Sequence, residues 1–365
     1  MSKLEKIAFR VDSSIKIGAG HLMRCLNIAK FLRLQGHDCI FISKKHNGNY
    51  NHLIEGNDFA LIEIDAGDIN QINHIDDLYM SWLGSSYSED AEYTNEILAN
   101  NSCQYLFVDH YGIDERWEEC CRTQTLKIIA IDDLANRNHS VDYIIDHNAG
   151  RLNADYANIN LNDAQLLIGP KYALLHSRYG ELRNQAIGKR NSNEIKDILI
   201  SFGSSNQAPI IKNILESFHN AKINSNFHLT LALGSSINNH EDIYLLAKKI
   251  TTKIDLHINT NQMPDLILQA DFCVGAGGVN ALERCCLGLP SAILCLSENQ
   301  VPGSIALEKM GCCNILNSYP SMDYSFTDII DSINNKNDLI KMTNQCFNIV
   351  DGKGIERVYK KIFKS

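Results

Sequence analysis

The stretch from Lys6 to Ile42 constrains the fold most strongly, because it changes twice between strand-like and helix-like patterning. Lys6 to Val11 is a short apolar run rich in β-forming residues, and apolar side chains then recur at roughly helical spacing from Leu22 to Leu34. Gly36 ends the helical pattern, and Cys39 to Ile42 supplies a second apolar strand. This pattern predicts a β-α-β unit whose first loop lies at the carboxyl edge of a parallel sheet, where open α/β sheets bind ligands.

That first loop contains residues suited to binding an anion. Gly18 and Gly20 let the backbone approach a ligand, and the unpaired amides of the first helical turn favour an anion such as a diphosphate. We expect His21 and Arg24 to flank this anion. Met23 stands where a dinucleotide fingerprint requires its third glycine, so a nicotinamide is disfavoured and no cofactor is predicted. The alternative for His21 is a helix-capping or merely solvated histidine.

Two domains are expected from the length and from a second alternation of strands and helices. A chain of 365 residues with 44% apolar residues can bury more than one core. Further apolar runs predict parallel strands at Tyr105 to Val108, Lys127 to Ile131, Tyr143 to Ile145, Asp197 to Phe202, Phe227 to Leu233, Ile254 to Ile258, Asp271 to Val274 and Ser291 to Leu296. The predicted fold class is α/β, with two Rossmann-like doubly wound domains facing a cleft.

The domain boundary is predicted within the polar stretch 180–196, which is typical of a surface helix followed by a linker. We therefore place an N-terminal Rossmann-like domain at 1–190 and a C-terminal Rossmann-like domain at 191–345. A terminal helix at 346–365 is expected to pack back on the N-terminal domain. The segment from Asp65 to Asn101 is acidic and polar, and we expect a loop or insertion of lower order without a catalytic role.

The composition argues against several classes of protein. A net charge of −9 lacks the basic excess of a nucleic-acid-binding protein. No apolar run approaches the ~20 residues that span a bilayer, and the N-terminus lacks the apolar core of a signal peptide, so a cytoplasmic protein without a membrane partner is expected. The 12 cysteines include three vicinal pairs in apolar, mostly helical patterns without CxxC spacing, so reduced, packed thiols are predicted in preference to metal ligands or disulfides.

A second glycine loop lies in the C-terminal half. Val274 to Pro290 follows a predicted strand with glycines and then a helix, so Gly277 and Gly278 would offer backbone amides to phosphate oxygens. Glu283 lies within that helix and could accept hydrogen bonds from both ribose hydroxyls. The alternative is a solvated helix carboxylate that pairs with Arg284 or a nearby lysine.

Three other loops place polar residues directly after strands. Gly203 and Ser204 follow the first strand of the second domain, and together with the glycine loop they predict a site for a nucleotide diphosphate. Asn299, in the segment SENQ, could orient water or a sugar group, although a loop-capping asparagine is the simpler alternative. Tyr111 could donate a hydrogen bond to a ligand, or it could pack over its own loop.

Other catalytic motifs are absent from the sequence, which has no GxSxG elbow, no HExxH helix and no GxxxxGK[ST] loop. Covalent serine chemistry and metalloprotease chemistry are therefore not expected. Asp132 and Asp133 follow a strand and could attract Mg²⁺, but adjacent carboxylates in that place are as often helix caps or salt-bridge partners. No metal site is predicted.

Six segments together support a family resemblance. They are GAGHLMRC, VDHYG, IDDLANRNHSVDYIIDHN, KYALLHSRY, ILISFGSSN and GAGGVNALERCCLGLPSAILCLSENQ. In this order they resemble the UDP-2,4-diacetamido-2,4,6-trideoxy-β-L-altropyranose hydrolases of the pseudaminic acid pathway. The resemblance implies a fold like that of GT-B glycosyltransferases and a metal-independent, inverting hydrolysis in which water replaces an acceptor sugar.

The resemblance also implies roles for individual residues. His21 would be the catalytic base, Tyr111 and Asn299 would lie near the sugar and the water, and the C-terminal glycine loops with Glu283 would hold UDP. The chain departs from the family at FGSSN, where FGGSD is common, and at GVNALE, which replaces a run of smaller residues. These departures loosen the assignment of the substrate and leave the fold intact.

Two other functions stay open from the sequence. One is a UDP-sugar-dependent glycosyltransferase of the same fold. An exposed apolar or basic face for an acceptor would favour it, but no such face can be recognised in the sequence around the GAGH segment, the GxGH loop. The other is a nucleotide-sugar-binding protein without turnover, against which the presence of His21, Tyr111 and Asn299 argues. A monomer is expected, since two domains that form a cleft need no partner to complete the site.

Overall fold

The computed structural model describes residues 5–65, 79–123, 126–190, 195–203, 207–220, 227–234, 237, 240–251, 253–317, 319–321 and 335–364. The chain forms two compact units. The first comprises Met1–His147, Arg151–His176 and Gly354–Ser365, and the second comprises Asn148–Gly150 and Ser177–Lys353. Each unit is built on one parallel sheet with helices, which confirms the predicted α/β class.

The first unit contains a seven-stranded sheet in the order β3-β2-β1-β4-β5-β6-β7. Its strands are β1 (Lys6–Val11), β2 (Asp38–Lys44), β3 (Ala60–Ile64), β4 (Tyr105–Asp109), β5 (Lys127–Ile131), β6 (Tyr143–Asp146) and β7 (Gln165–Ile168). All neighbouring strands pair in parallel. The strand order reverses direction between β1 and β4, so a crevice is expected beyond the carboxyl ends of these two strands.

The helices of this unit connect the strands in the usual crossover manner. They are α1 (Gly20–Leu34), α2 (His52–Glu55), α3 (Met80–Leu83), α4 (Tyr87–Asn101) and α5 (Glu115–Cys121). The core beneath α1 includes the ring of Phe9 on β1, whose centroid lies 4.9 Å from that of Phe41 and 5.0 Å from that of Phe107. These stacked rings fix neighbouring strands at one register, because aromatic side chains bury large areas with defined geometry.

The second unit contains a six-stranded parallel sheet in the order β10-β9-β8-β11-β12-β13. Its strands are β8 (Asp197–Ser201), β9 (His228–Leu233), β10 (Ile254–Ile258), β11 (Phe272–Ala276), β12 (Ser291–Leu294) and β13 (Asn314–Ile315). Its helices are α6 (Ser177–Lys189), α7 (Ala208–Asn220), α8 (His240–Ala247), α9 (Met263–Gln269), α10 (Val279–Cys286), α11 (Val301–Lys309) and α12 (Lys336–Ile349). The order again reverses at one point, here between β8 and β11.

The boundary between the units differs from the predicted position near residue 190. Helix α6 belongs to the second unit, because its Arg183 donates hydrogen bonds to the carbonyls of Cys286 (2.9 Å) and Phe347 (2.6 Å). Apart from its last segment, Gly354–Ser365, the first unit therefore ends at His176, directly before α6. The polarity of residues 180–189 reflects the solvent-facing side of α6, whose other side packs in the second unit.

The terminal segment 346–365 is divided between the units. Its first residues end α12 in the second unit, and α13 (Gly354–Phe363) lies in the first. The ring of Tyr359 in α13 packs 5.6 Å from that of Phe31 in α1. Gly354 lies against the backbone of Ala173 with no room for a side chain.

The prediction that Asp65 to Asn101 has low order was wrong for its second half. Residues 66–78 lie outside the described residues, but α4 is a regular helix of 15 residues. Ser86 and Glu89 form a capping box at its start, a signal that the sequence carried. Asp90 in α4 forms an ion pair with Arg10 of β1 (2.7 Å), and both side chains are fully buried.

Two further expectations concern membranes and cysteines. Within the described ranges, no helix is both long enough and apolar enough to cross a membrane. Each of the 12 cysteines lies in a described range, and every one is a free thiol, as predicted. All except Cys103 and Cys120 are buried.

Candidate functional site

In the first unit, the loop after β1 begins at the point where the strand order reverses. The hydroxyl of Ser14 accepts hydrogen bonds from the amides of Lys16 (3.1 Å) and Ile17 (3.0 Å), which folds the loop tightly. Gly18 has φ +78°, a conformation that side chains disfavour, and its amide donates to the Ser14 carbonyl at 2.8 Å. Helix α1 then begins at Gly20, so His21 lies in its first turn.

His21 is held by an aspartate at the end of the neighbouring strand. Nδ1 of His21 lies 2.6 Å from Oδ1 of Asp109, the last residue of β4, and both side chains are buried. Burial raises the pKa of Asp109, but the charges of Arg24 and His21 outweigh burial and hold that pKa well below its usual range. An ionised carboxylate only accepts hydrogen bonds, so we assign the proton to Nδ1 of His21. Nε2 is then the basic nitrogen of the ring.

Arg24 has a different role from the predicted anion contact. One turn along α1 from His21, its Nη2 donates to Oδ1 of Asp109 (2.6 Å), and its Nε donates to Oδ2 of the same carboxylate. Its Nη1 donates to Oδ2 of Asp133 (2.6 Å). The guanidinium is buried and its fork is occupied by two carboxylates, so it holds Asp109 in place and is not presented to a ligand.

Aromatic rings surround His21. The ring of Tyr111 meets that of His21 edge to face with centroids 4.6 Å apart, and its hydroxyl donates to Oδ2 of Asp133 at 2.8 Å. The ring of Trp82 lies 6.4 Å from His21 and stacks 5.7 Å from Tyr111, and Tyr79 packs on both aromatic neighbours. Tyr111 therefore packs on His21 and binds Asp133, and it does not only pack over its own loop. Tyr79 and Trp82 were missed because they lie in the stretch predicted to have low order.

His147 is a second histidine at this edge of the sheet. It follows β6, is buried, and interacts electrostatically with Asp133 and Arg24. Burial lowers the pKa of His147 to about 4, so its ring is neutral at neutral pH. Its Nδ1 has no hydrogen-bond partner within the described part of the chain. His147 lies in one of the segments that support the family resemblance, IDDLANRNHSVDYIIDHN, but no role was predicted for it.

The carboxylates considered for Mg²⁺ are neutralised by arginines. Asp133 pairs with Arg24, and Asp132 accepts a hydrogen bond from Nη1 of Arg137 at 2.8 Å. Asp132 also accepts from the amides of Leu134 (3.2 Å) and Ala135 (3.0 Å). These contacts fit the predicted salt-bridge role, whereas the amides that Asp132 binds belong to the loop between β5 and β6 and not to the start of a helix.

In the second unit, the two glycine loops also begin where the strand order reverses. Gly203 follows β8 with φ +79°, and a Cβ there would lie 3.2 Å from Nδ2 of Asn280 in the first turn of α10. Gly278, before α10, has φ +69°, and a Cβ on Gly277 would lie 2.5 Å from Oγ of Ser304 in α11. The loops after β8 and β11 are therefore neighbours, and their close approach needs glycine. Ser204 lies outside the described residues.

Glu283 is the carboxylate of α10 predicted to hold ribose. Its side chain forms a hydrogen bond with the hydroxyl of Tyr179 on α6. Burial raises the pKa of Glu283 to about 7. Arg284 instead donates to the carbonyl of Ala276 at 2.6 Å, so the predicted alternative of a solvated Glu283 paired with Arg284 does not describe this geometry.

Asn299 lies in the second unit, in a short turn of helix (Glu298–Gln300) that precedes α11. Its side chain is exposed, and its Oδ1 accepts a hydrogen bond from Oγ of Ser297 at 2.5 Å. Its neighbour Gln300 accepts from the amide of Leu296 (3.0 Å), which fixes the turn against the end of the sheet. His21 and Tyr111 are thus in contact within the first unit, whereas Asn299 and the glycine loops after β8 and β11 belong to the second unit.

Comparison with known proteins gives distant relatives, and no family model matches the chain. An uncharacterised protein of Methanocaldococcus jannaschii is 24% identical over 300 residues, which cover 81% of this chain and 56% of that protein. The UDP-2,4-diacetamido-2,4,6-trideoxy-β-L-altropyranose hydrolase of Campylobacter jejuni is 23% identical over 307 residues, 84% of this chain and 97% of that enzyme. The spore coat polysaccharide biosynthesis protein SpsG of Bacillus subtilis is 25% identical over 195 residues, 52% of this chain and 56% of that protein. The matched region thus spans just over half the length of two of these three relatives.

Solved structures show the fold. MurG of Acinetobacter baumannii superposes with a TM-score of 0.71 at 11% identity, covering 99% of this chain and 100% of that one. A UDP-GlcNAc 2-epimerase of Neisseria meningitidis, bound to UDP-GlcNAc, gives 0.62 at 13% identity with coverages of 99% and 100%. The chain has the fold of GT-B glycosyltransferases, and among its relatives and neighbours are enzymes that act on UDP-sugars.

Proposed function

We propose that this protein is a nucleotide-sugar hydrolase that removes UDP from UDP-2,4-diacetamido-2,4,6-trideoxy-β-L-altropyranose by water attack at the anomeric carbon. The observation that carries the proposal is the buried pair of His21 and Asp109, which gives the histidine the tautomer of a general base. The proposal is supported by the relative from Campylobacter jejuni, which bears this activity in its name and is matched over 97% of its length.

His21 is the proposed base. Nε2 takes a proton from water while the water oxygen forms a bond to the anomeric carbon and the bond from that carbon to the UDP oxygen breaks. The electron pair of that bond leaves with UDP, so the products are the free sugar, with inverted anomeric configuration, and UDP. Asp109 stabilises the imidazolium that forms, because its carboxylate stays ionised beside Nδ1. The proposed reaction needs no metal or cofactor.

The second unit is the proposed UDP site. The amides beside Gly203, Gly277 and Gly278 would neutralise charge on the diphosphate as it leaves, aided by the positive end of α10. Glu283 would accept hydrogen bonds from the ribose hydroxyls. Asn299 and Tyr111 are proposed to orient the sugar and the water, which leaves positioning as the main contribution of the protein to the rate.

A glycosyltransferase is the second candidate. It is favoured by the fold, since MurG superposes on 99% of this chain at a TM-score of 0.71. The same base would then remove a proton from an acceptor hydroxyl instead of water. A third candidate, a protein that binds nucleotide sugars without turnover, does not account for the His21 and Asp109 pair.

The deciding experiment measures UDP release from the proposed substrate without acceptor and with EDTA present. We expect release by the wild type and a loss of ~10²–10⁴-fold in kcat for His21→Gln. His37→Gln is the matched control, because His37 is also buried in the first unit but packs on Tyr359 and Phe363.

Three other results would change the assignment. UDP binding with release only after an acceptor is added would establish the transferase. Binding without release under either condition would leave a binding protein. Equal release by wild type and His21→Gln would keep the hydrolase and remove His21 as its base.

A further inference from the structure

Three cysteines far apart in sequence meet in the interior of the second unit. Cys285 lies in α10, Cys312 follows α11, and Cys346 lies in α12. Their sulfur atoms all lie within 4.8 Å of one another. The three residues are 3%, 1% and 0% exposed, respectively. The cluster therefore consists of three thiols enclosed by protein, which we call the thiol cluster.

Hydrogen bonds hold two members of the thiol cluster, Cys312 and Cys346, in place. The amide of Cys312 donates to the carbonyl of Leu307 at 2.8 Å, in a turn that Gly311 allows with φ +75°. The thiol of Cys346 donates to the carbonyl of Cys312 at 3.2 Å. A sulfur carried on α12 is thereby held against the end of α11.

The second cysteine of each vicinal pair points elsewhere. Cys286 lies beside Gly352, where a Cβ would come 3.1 Å from its sulfur, and the thiol of Cys313 donates to the carbonyl of Ser304 at 4.0 Å. The thiol cluster thus takes one sulfur from α10, one from the segment after α11 and one from α12.

We propose that Cys285, Cys312 and Cys346 bind one soft metal ion, Cu(I). Thiolates select soft ions such as Cu(I), and Cu(I) accepts three sulfurs in a plane. Zn²⁺ in structural sites takes four ligands, and no fourth Cys, His, Asp or Glu joins the group within the described part of the chain. Cys285 shares α10 with Glu283 of the proposed UDP site, but the proposed metal site does not depend on the hydrolase assignment.

Binding of Cu(I) changes the oxidation state of neither the copper nor the sulfur atoms. Three S–H bonds break, three Cu–S bonds form, and three protons leave to solvent. The complex then carries a charge of −2. Arg190 supplies positive charge from a half-buried position, because its guanidinium interacts electrostatically with Cys346 and donates to the carbonyls of Ile267 (2.7 Å) and Leu287 (3.1 Å).

The proposal is tested on the full chain, reduced and anaerobic, by titrating Cu(I) against a chromophoric Cu(I) chelator. We expect one tightly held ion per chain and a rise in Tm on loading, since a ligand that binds only the folded state stabilises it. Cys285→Ala, Cys312→Ala and Cys346→Ala should each lose tight binding. Cys39→Ala and Cys273→Ala are the matched controls, because these thiols are equally buried but lie outside the cluster, and they should retain it.

Equal binding by the cluster variants and the controls would overturn the proposal, and so would the absence of tight binding by the wild type. Because an alanine in the core can prevent folding, a second measurement uses the wild type alone. X-ray absorption of the Cu(I)-loaded protein should show three sulfur ligands. A nitrogen or oxygen ligand, two-coordinate copper, or a preference for Zn²⁺ over Cu(I) would contradict the assignment.

Discussion

The Oδ1 atom of Asp109, at the end of β4, lies 2.6 Å from Nδ1 of His21, at the start of α1. The two residues are 88 positions apart in sequence, and they meet because β4 lies beside β1 in the sheet. An imidazole held in this way at the carboxyl edge of a parallel sheet has one nitrogen occupied and the other basic. The contact between Asp109 and His21 is therefore expected to control the reactivity of His21.

Asp109→Asn should lower kcat by ~10²–10⁴-fold and leave the affinity for UDP unchanged. An asparagine amide can donate to Nδ1, which would place the proton on Nε2 and remove the base. Steady-state UDP release and calorimetric UDP binding measure the two quantities. Asp90→Asn is the control for lost stability, since Asp90 is a buried carboxylate that pairs with Arg10, away from His21. Similar kcat losses in both variants would mean that the effect of Asp109→Asn is structural.

Arg24→Leu should reduce the free energy of unfolding by about 3–5 kcal/mol, because it leaves the carboxylates of Asp109 and Asp133 buried without their cation. Chemical denaturation followed by circular dichroism measures this. Arg116→Leu removes an exposed partner of Asp114 and should cost less than about 1 kcal/mol. If Arg24→Leu were as mild as the control, Arg24 would not be the residue that holds Asp109.

UDP binding should become tighter as pH rises towards neutrality and level off above it. Burial raises the pKa of Glu283 to about 7, and two ribose hydroxyls are bound more strongly by the ionised carboxylate, because both of its oxygens then accept hydrogen bonds and carry charge. Below that pKa, protonation competes with binding and weakens it by up to about tenfold per pH unit. Calorimetry in buffers of different ionisation enthalpy should show proton release on binding at acidic pH.

Glu283→Gln should bind UDP more weakly and lose this component of the pH dependence. The pH dependence of UDP binding that remains in this variant should come from the titration of UDP itself. Glu216→Gln, on the exposed side of α7, is the matched control and should keep the wild-type profile. A profile unchanged in Glu283→Gln would show that Glu283 does not contact the nucleotide.

The stability of the first unit should fall on the alkaline side because of His139. Its Nδ1 donates to Oε1 of Glu118 at 2.8 Å, and its Nε2 lies 3.8 Å from Asp132. Burial lowers the pKa of His139, but Glu118 and Asp132 outweigh burial and raise it to about 9. The stabilising contribution is therefore complete below the unfolded pKa of about 6.5 and is lost as pH rises through about 9.

The expected loss from this group is about 3 kcal/mol in the free energy of unfolding between about pH 6 and about pH 10. Urea denaturation at each pH measures it. His139→Gln should be less stable near neutral pH and should show a flatter alkaline limb, whereas the exposed His52→Gln should follow the wild type. Parallel alkaline limbs for all three proteins would assign the loss to other groups.

Several strands and the glycine loops could be predicted from local patterns in the sequence. Strands β1, β5 and β10 begin and end at the predicted residues, because a short apolar run bounded by polar residues is a local signal. The glycine loops at Gly18 and Gly278 adopt positive φ, which is also a local property. Since parallel strands alternate with helices in both halves, the two sheets could be predicted as well.

Which side chains meet could not be predicted, because it depends on how distant segments of the chain pack together. Arg24 was predicted to face an anion and is occupied by Asp109 and Asp133, since a periodic pattern does not say which distant carboxylates will share its buried face. Helix α4 was not predicted because its buried face carries Asp90, which pairs with Arg10. A charged residue in a sequence is normally taken to lie on the surface, so this buried position could not be recognised. The thiol cluster has the same origin: its three sulfurs have no recognisable spacing and are brought together only by the packing of α10, α11 and α12.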